Sequence, residues 1–239
     1  RLEELGAVVS LLPTVEVREP ADWTPVDRAL ANLSAYHWLV FTSVNGVDAF
    51  IRHLRQTGRD LRALGSLRLA AIGPATADAL HRYHLEPDLV PPVYDSENLA
   101  SVLKERAAGQ RVLLARADRG REVLREQLAR VAEVEQIAVY SQVDAIELGG
   151  EALEALRRGE IEFITLTSSN IARALVRVLD EESLRLLRSG VVRLVSISPV
   201  TSAATRELGL PVAAEAREYT AEGVVQALLD LARSESKQP

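Results

Sequence analysis

The chain repeats itself at a fixed spacing, and this constrains its fold more than any single motif does. Residues 40–54 (VFTSVNGVDAFIRHL) answer to residues 165–179 (TLTSSNIARALVRVL). Residues 68–80 (RLAAIGPATADAL) answer to 193–205 (RLVSISPVTSAAT), and 94–103 (YDSENLASVL) to 219–228 (YTAEGVVQAL). Thr42 and Thr167, Thr76 and Thr201, and Tyr94 and Tyr219 are each 125 positions apart. A constant offset without a gap marks a duplicated unit of supersecondary structure. A length of 239 residues accommodates two such units. The sequence therefore predicts two similar domains with a cleft between them.

Within each copy, short β-branched runs alternate with patterns at helical spacing. Strand signals lie at 7–13, 38–43, 67–73, 87–92, 111–117, 133–140, 162–168, 192–198 and 211–216. Helical patterns lie at 46–56, 75–84, 97–107, 119–130, 151–158, 170–179, 200–208 and 221–233. Apolar strands alternating with helices build parallel sheets covered on both faces, so the fold class is α/β. The strand and helix at 111–124 have no partner in the first copy, because the counterpart would precede residue 1. The expectation is that the first strand is missing and that residues 1–5 are the tail of its helix. Two extended stretches, 15–23 and 140–150, occupy matching positions and read as crossings between the domains, able to pair as a small ladder and act as a hinge. The tail 234–239 reads as disordered.

Composition removes several classes of function. The net charge of −6 argues against nucleic acid as a main partner, and aromatics at 4% leave no base-stacking platform. No apolar run approaches the roughly 18 residues of a membrane span, and no secretory signal is visible, so no membrane partner is expected and the default location is cytoplasmic. The absence of Cys excludes disulfides and thiolate zinc sites. His37, His53, His81 and His84 show no metal spacing, so no metal is expected.

Familiar catalytic signatures are missing: no GxGxxG after a strand, no GxxxxGK[ST], no GxSxG, no HExxH. What remains is a set of small residues where strands hand over to helices. They are Thr42, Ser43 and Asn45; Gly73, Pro74 and Thr76; Ser168 and Ser169; and Ser198, Pro199 and Thr201. Ser43, Ser168 and Ser198 suit helix N-caps, and Pro74 and Pro199 suit first helical positions. Ligands of open α/β sheets bind beyond the carboxyl ends of the strands, and helix N-termini attract anions. Any one turn can be only a cap, but four in duplicated register point to a site for a polyanion. Ser96 and Thr220 read as caps of later helices, with Glu97 and Glu222 complementing the helix dipoles. Arg116, Arg119 and Arg121 around Asp118 read equally as acid-binding or as solvated charge. Tyr140 ends a strand where the domains join, and reads equally as a proton donor into the cleft or as a half-buried hinge aromatic.

The chain resembles the uroporphyrinogen-III synthases at FTSVNGV (41–47), AIGPATADAL (71–80), SENLA (96–100), LLARADRGRE (113–122), VEQIAVY (134–140), TLTSSNIARAL (165–175), SISPVTSAATRELGLPV (196–212) and YTAEGVVQAL (219–228). It departs from them in lacking the N-terminal strand and in carrying SISP (196–199) where a glycine is usual before the proline. The resemblance implies two flavodoxin-like lobes, 1–15 plus 145–239 and 22–138, joined by linker strands at 16–21 and 139–144. It implies a monomeric lyase that needs no cofactor and closes linear hydroxymethylbilane to uroporphyrinogen III, with loss of water and inversion of the last ring. Hydroxymethylbilane synthase would supply the substrate. Tyr140 matches the tyrosine favoured to assist hydroxyl departure. Thr42, Ser43, Thr76, Ser168 and Thr201 match cleft-lining positions, with Asn45, Gly73, Pro74, Ser96, Arg116, Ser169, Ser198 and Pro199 as further substrate-binding candidates. The competing reading is a noncatalytic two-lobed module that binds a polyanionic small molecule. A nucleotide-sugar transferase is weighed against by the missing glycine fingerprint.

Overall fold

A computed structural model describes residues 1–144 and 150–235. Residues 145–149 of the second expected crossing and 236–239 of the expected disordered tail lie outside the described residues. The elements run β1 (Val15–Arg18), α1 (Thr24–Ala31), β2 (Trp38–Phe41), α2 (Val44–Gln56), β3 (Arg68–Ala71), α3 (Pro74–His81), α4 (Ser96–Ala107), β4 (Arg111–Ala117), α5 (Val123–Leu128), β5 (Glu133–Asp144), α6 (Glu151–Arg157), β6 (Phe163–Leu166), α7 (Ser169–Val178), α8 (Glu181–Arg188), β7 (Arg193–Ser196), α9 (Pro199–Glu207), β8 (Val212–Glu215) and α10 (Ala221–Glu235). The chain divides into an inserted unit, Val17–Gln142, and an outer unit, Arg1–Glu16 with Val143–Pro239.

A five-stranded sheet has the order β1-β5-β4-β2-β3, and the pairs β2–β3, β2–β4 and β4–β5 are parallel. Alternate residues of its strands feed two separate cores. Leu39, Phe41, Leu69, Ala71, Leu113 and Ala115 pack with α1, α2 and α3. Trp38, Val40, Ala70, Val112 and Leu114 pack with α4 and α5. Burial on both faces explains why these strands read as continuous apolar runs. The outer unit's sheet is β6-β7-β8, also parallel, with Leu166 and Leu194 facing α6, α7 and α8, and Val195 facing α10.

The duplication extends to individual pairings. The register Trp38↔Arg68 through Phe41↔Ala71 recurs 125 positions later as Phe163↔Arg193 through Leu166↔Ser196. The single bridge Ala70↔Leu89 recurs as Val195↔Ala214. Arg68 stacks over Trp38 at 5.6 Å, and Arg193 over Phe163 at 4.1 Å. The turn after α3, with His84 N–H on the His81 carbonyl (2.8 Å) and Leu85 N–H on that of Leu80 (3.1 Å), recurs after α9 at Gly209 (2.9 Å) and Leu210 (3.2 Å). Both turns need a left-handed residue: Gly209 has φ 76°, and His84 has φ 58°. The histidine carries the strain that glycine avoids. His84→Gly is therefore expected to stabilise the chain by about 0.5–1 kcal/mol in urea unfolding, since relief of that strain exceeds the added freedom of the unfolded chain. A lower midpoint for the variant would contradict this account.

Several sequence expectations change. The strand expected at 7–13 does not form, and pairing begins only at Val15. Val8 and Leu11 stand 97% and 84% exposed. The matching stretch of the inserted unit is β5, which pairs with β4. Among the described residues no strand pairs with 7–13. At 87–92 only Leu89 bridges a strand, because Pro87, Pro91 and Pro92 have no N–H to offer. The helix expected from residue 119 starts at Val123, after an irregular loop. Ser234 and Glu235, expected in the tail, close α10.

Candidate functional site

In the inserted unit the candidate residues gather at the carboxyl ends of β2, β3, β4 and β5. Ser43 has extended backbone and caps α2, its Oγ accepting the Gly46 N–H at 3.0 Å. The same Oγ lies 3.0 Å from the Tyr140 hydroxyl. Thr42 is half-buried and Asn45 exposed beside them. Gly73 caps α3 with Pro74 at its first position, and the Thr76 N–H donates to the Gly73 carbonyl at 3.1 Å. The Thr76 side chain is buried. A Cβ at Gly73 would fall 3.1 Å from the Tyr94 Cβ, so close packing of Tyr94 is one reason for the small residue there. Ser96 is not a cap. Asp95 holds that place, its carboxylate accepting the Asn98 N–H at 2.7 Å, as an anion does best against the positive helix end.

Tyr140 reaches this group through an irregularity in its strand. The β4–β5 register runs Arg116↔Ala138 and then Ala117↔Tyr140, skipping Val139. Ile137, Val139 and Tyr140 consequently share one core, although consecutive strand residues ordinarily face opposite ways. The phenol is only 5% exposed. Burial pushes it above its ordinary value, opposed by the Ser43 hydrogen bond and the nearby Arg116 charge, with Asp118 adding to the rise. It therefore stays protonated at neutral pH and remains a donor.

The loop 118–122 covers the end of β4. Arg116, 7% exposed, donates through Nη1 to the Arg121 carbonyl (2.8 Å), Glu122 (3.3 Å) and Gln136 (3.5 Å). Its guanidinium thus serves groups of the loop and of β5, which favours a structural task over the acid-binding one. Arg121 grips Glu97 of α4 at 2.5 and 3.0 Å, and that hydrogen bond holds the Glu97 carboxyl below its usual range. The Asp118 N–H donates to the Tyr140 carbonyl (3.0 Å), and Asp118 Oδ1 accepts the Gln142 N–H (3.0 Å). The loop is stitched to β5 at Tyr140 and two residues beyond it.

The outer unit repeats the turns without the phenol. Ser168 caps α7 by accepting the Ile171 N–H at 3.2 Å. Ser198 caps α9, accepting the Thr201 N–H at 3.3 Å, with Pro199 at the first helical position. Its Oγ also lies 3.2 Å from Thr201 Oγ1, and Thr201 is buried. Ser169 Oγ donates to the Val200 carbonyl at 3.4 Å and ties the starts of α7 and α9 together. Thr220 caps α10 through the Gly223 N–H at 3.0 Å. Sequence reasoning missed a hydroxyl chain in this unit: Ser196 Oγ lies 2.5 Å from Ser202 Oγ, which donates to Glu215 at 2.5 Å. The equivalent positions of the inserted unit are Ala71, Ala77 and Val90, and that three-fold contrast was the available signal.

Chemically, these turns offer backbone N–H groups of first helical turns, small hydroxyls, and one protonated phenol. Among the described residues no cluster of three or more His, Asp or Glu has metal-holding geometry, and no helix is long and apolar enough to cross a membrane.

Comparison with known proteins decides the family. A family model described as "Uroporphyrinogen-III synthase HemD" matches residues 1–226. The chain belongs to the uroporphyrinogen-III synthase family. The family's enzymes are lyases of porphyrin biosynthesis, and this chain is one of them. It is 31% identical over 240 residues to the uroporphyrinogen-III synthase of Synechococcus elongatus, covering 98% of this chain and 89% of that one. It is 26% identical over 215 residues to that of Chlorobaculum parvum, covering 88% and 84%. The fold matches the structure of a mutant uroporphyrinogen III synthase from Thermus thermophilus, with a TM-score of 0.68 at 22% identity over 99% and 92% of the two chains. It also matches the Helicobacter pylori enzyme, with a TM-score of 0.59 at 18% identity over 93% and 95%.

Proposed function

We propose that this synthase works mainly by positioning. The substrate-binding turns hold Thr42, Ser43, Asn45, Gly73, Pro74 and Thr76, and Ser168, Ser169, Ser198, Pro199 and Thr201; their hydroxyls, amide and backbone N–H groups hold carboxylates of hydroxymethylbilane, while Pro74 and Pro199, which lack an N–H, shape the turns. Tyr140 helps the hydroxyl leave. The C–O bond breaks with its electron pair going to oxygen, which departs as water after taking the phenol proton, and an azafulvene cation remains. The cationic carbon bonds to ring D at its substituted α-carbon, giving a spiro intermediate; the older bond from that carbon to the ring C methylene then breaks, the methylene bonds again at the free α-carbon of ring D, and the proton lost there balances the one taken from the phenol. Holding a flexible chain in one reactive geometry can remove several kcal/mol from a barrier without a strong acid or base. A substrate with eight carboxylates suits helix N-termini, which attract anions although the protein is acidic overall.

The observation carrying this reading is the buried, protonated Tyr140 phenol held at the carboxyl end of a parallel sheet against the capped start of α2. We further propose a cytoplasmic monomer that takes its substrate from hydroxymethylbilane synthase; family membership supports this. The test supplies freshly made hydroxymethylbilane and identifies the uroporphyrin isomer after oxidation. Isomer III in excess is expected. Isomer I alone, the spontaneous product, would refute the activity.

A further inference from the structure

We infer that Ser43 is a positioning residue that fixes the direction in which Tyr140 presents its proton. The inference rests on Tyr140 as the donor and goes beyond it by assigning a task to the hydroxyl behind the phenol.

Ser43 Oγ meets two groups at once, the Gly46 N–H at 3.0 Å and the Tyr140 hydroxyl at 3.0 Å. A serine hydroxyl has one proton and two acceptor sites. The Gly46 N–H can only donate, so it takes one acceptor site. Toward Tyr140 two arrangements remain. If the phenol donates to Ser43, its proton is used up inside the protein. If Ser43 donates to the phenol oxygen, the phenol proton is left for a ligand. The start of α2 chooses between them. A hydroxyl that accepts an N–H in the positive field of a helix N-terminus is polarised into a better donor and a poorer acceptor. The chain of donors then runs from Gly46 N–H to Ser43 O–H to Tyr140 O–H and outward.

The same arrangement serves the product side of the proton transfer. When the phenol gives up its proton to the departing hydroxyl, the Ser43 O–H already points at the phenolate oxygen. The irregular β4–β5 register and the two Asp118 contacts around Tyr140 keep the phenol against Ser43. The equivalent cap Ser168 has Val15 where Tyr140 would be, so the outer unit holds the cap without the phenol.

The test is a double-mutant cycle read on kcat with hydroxymethylbilane. Ser43→Thr keeps the cap and the donating hydroxyl. Ser43→Asp keeps the cap but can only accept, so it draws the phenol proton inward. Thermal midpoints within a few degrees of wild type would verify that capping is retained. Ser43→Asp is expected to lower kcat about 10- to 100-fold, and Ser43→Thr, which keeps the donating hydroxyl, to lower it less. In the Tyr140→Phe background Ser43→Asp should cost little more, because the group it acts through is gone. An equal loss in both backgrounds would overturn the positioning role and leave Tyr140 as the donor. A wild-type kcat for Tyr140→Phe alone would remove the donor, and this inference with it.

Discussion

Tyr140→Phe slows ring closure about 10- to 100-fold and leaves product affinity within about 2-fold. The size follows from the chemistry. The hydroxyl of a hydroxymethylpyrrole leaves readily, so a general acid contributes at or below the low end of its usual range of about 10²- to 10⁴-fold. The separation of rate from affinity follows from geometry. The ring of Tyr140 is packed with Ile137 and Val139, and phenylalanine fills the same space. Only the contact to Ser43 is lost, with a stability cost of about 1 kcal/mol. Single-turnover rates and product titration separate the two quantities. An unchanged rate would take Tyr140 out of the mechanism. Because burial keeps the phenol protonated well past neutrality, activity should show no loss assignable to Tyr140 as pH rises from 6 to 9, where a donor with the ordinary tyrosine value would begin to titrate only at the upper end.

Gly120→Ala should be the most damaging single-methyl change in the inserted unit. Gly120 sits at φ 137°, a region that residues with a Cβ enter only at a cost of about 1–3 kcal/mol. The added Cβ would also lie 2.3 Å from Arg116 Nη2. Arg116 cannot yield freely, because it is buried and bound to the Arg121 carbonyl and Glu122. Overpacking of this kind adds about 1–3 kcal/mol, for a total of about 2–6 kcal/mol. Urea unfolding checks the number, and a wild-type midpoint would contradict the account. Activity should fall as well, since the displaced loop carries the Asp118 contacts that hold Tyr140 in place.

Much of the fold was legible because both copies wrote it. Paired segments at one offset predicted the duplication, strand–helix alternation predicted the α/β class, and Ser43, Ser168, Ser198, Pro74 and Pro199 are where cap chemistry placed them. Ser96 misled because serine is a good cap, but the carboxylate one residue earlier is better placed. The strand at 7–13 misled because a β-branched run carries no information about whether a neighbour exists to pair with it. Of the candidate site, the identity of the residues was readable and their contacts were not. The meeting of Tyr140 with Ser43 depends on a skipped pairing at Val139, which no local pattern announces. The enclosure of Arg116 depends on a glycine four positions on that turns the loop back over it. Thr76 and Thr201 look like free hydroxyls in sequence but are buried at the starts of α3 and α9.

Because the pairings recur residue for residue, the molecule contains its own control experiments. A change at Ser43 can be repeated at Ser168 on a helix of the same start and register, and the difference between the two outcomes reports what surrounds the serine, free of the helix itself. The same holds for His84 against Gly209, where one copy already displays the substitution proposed for the other.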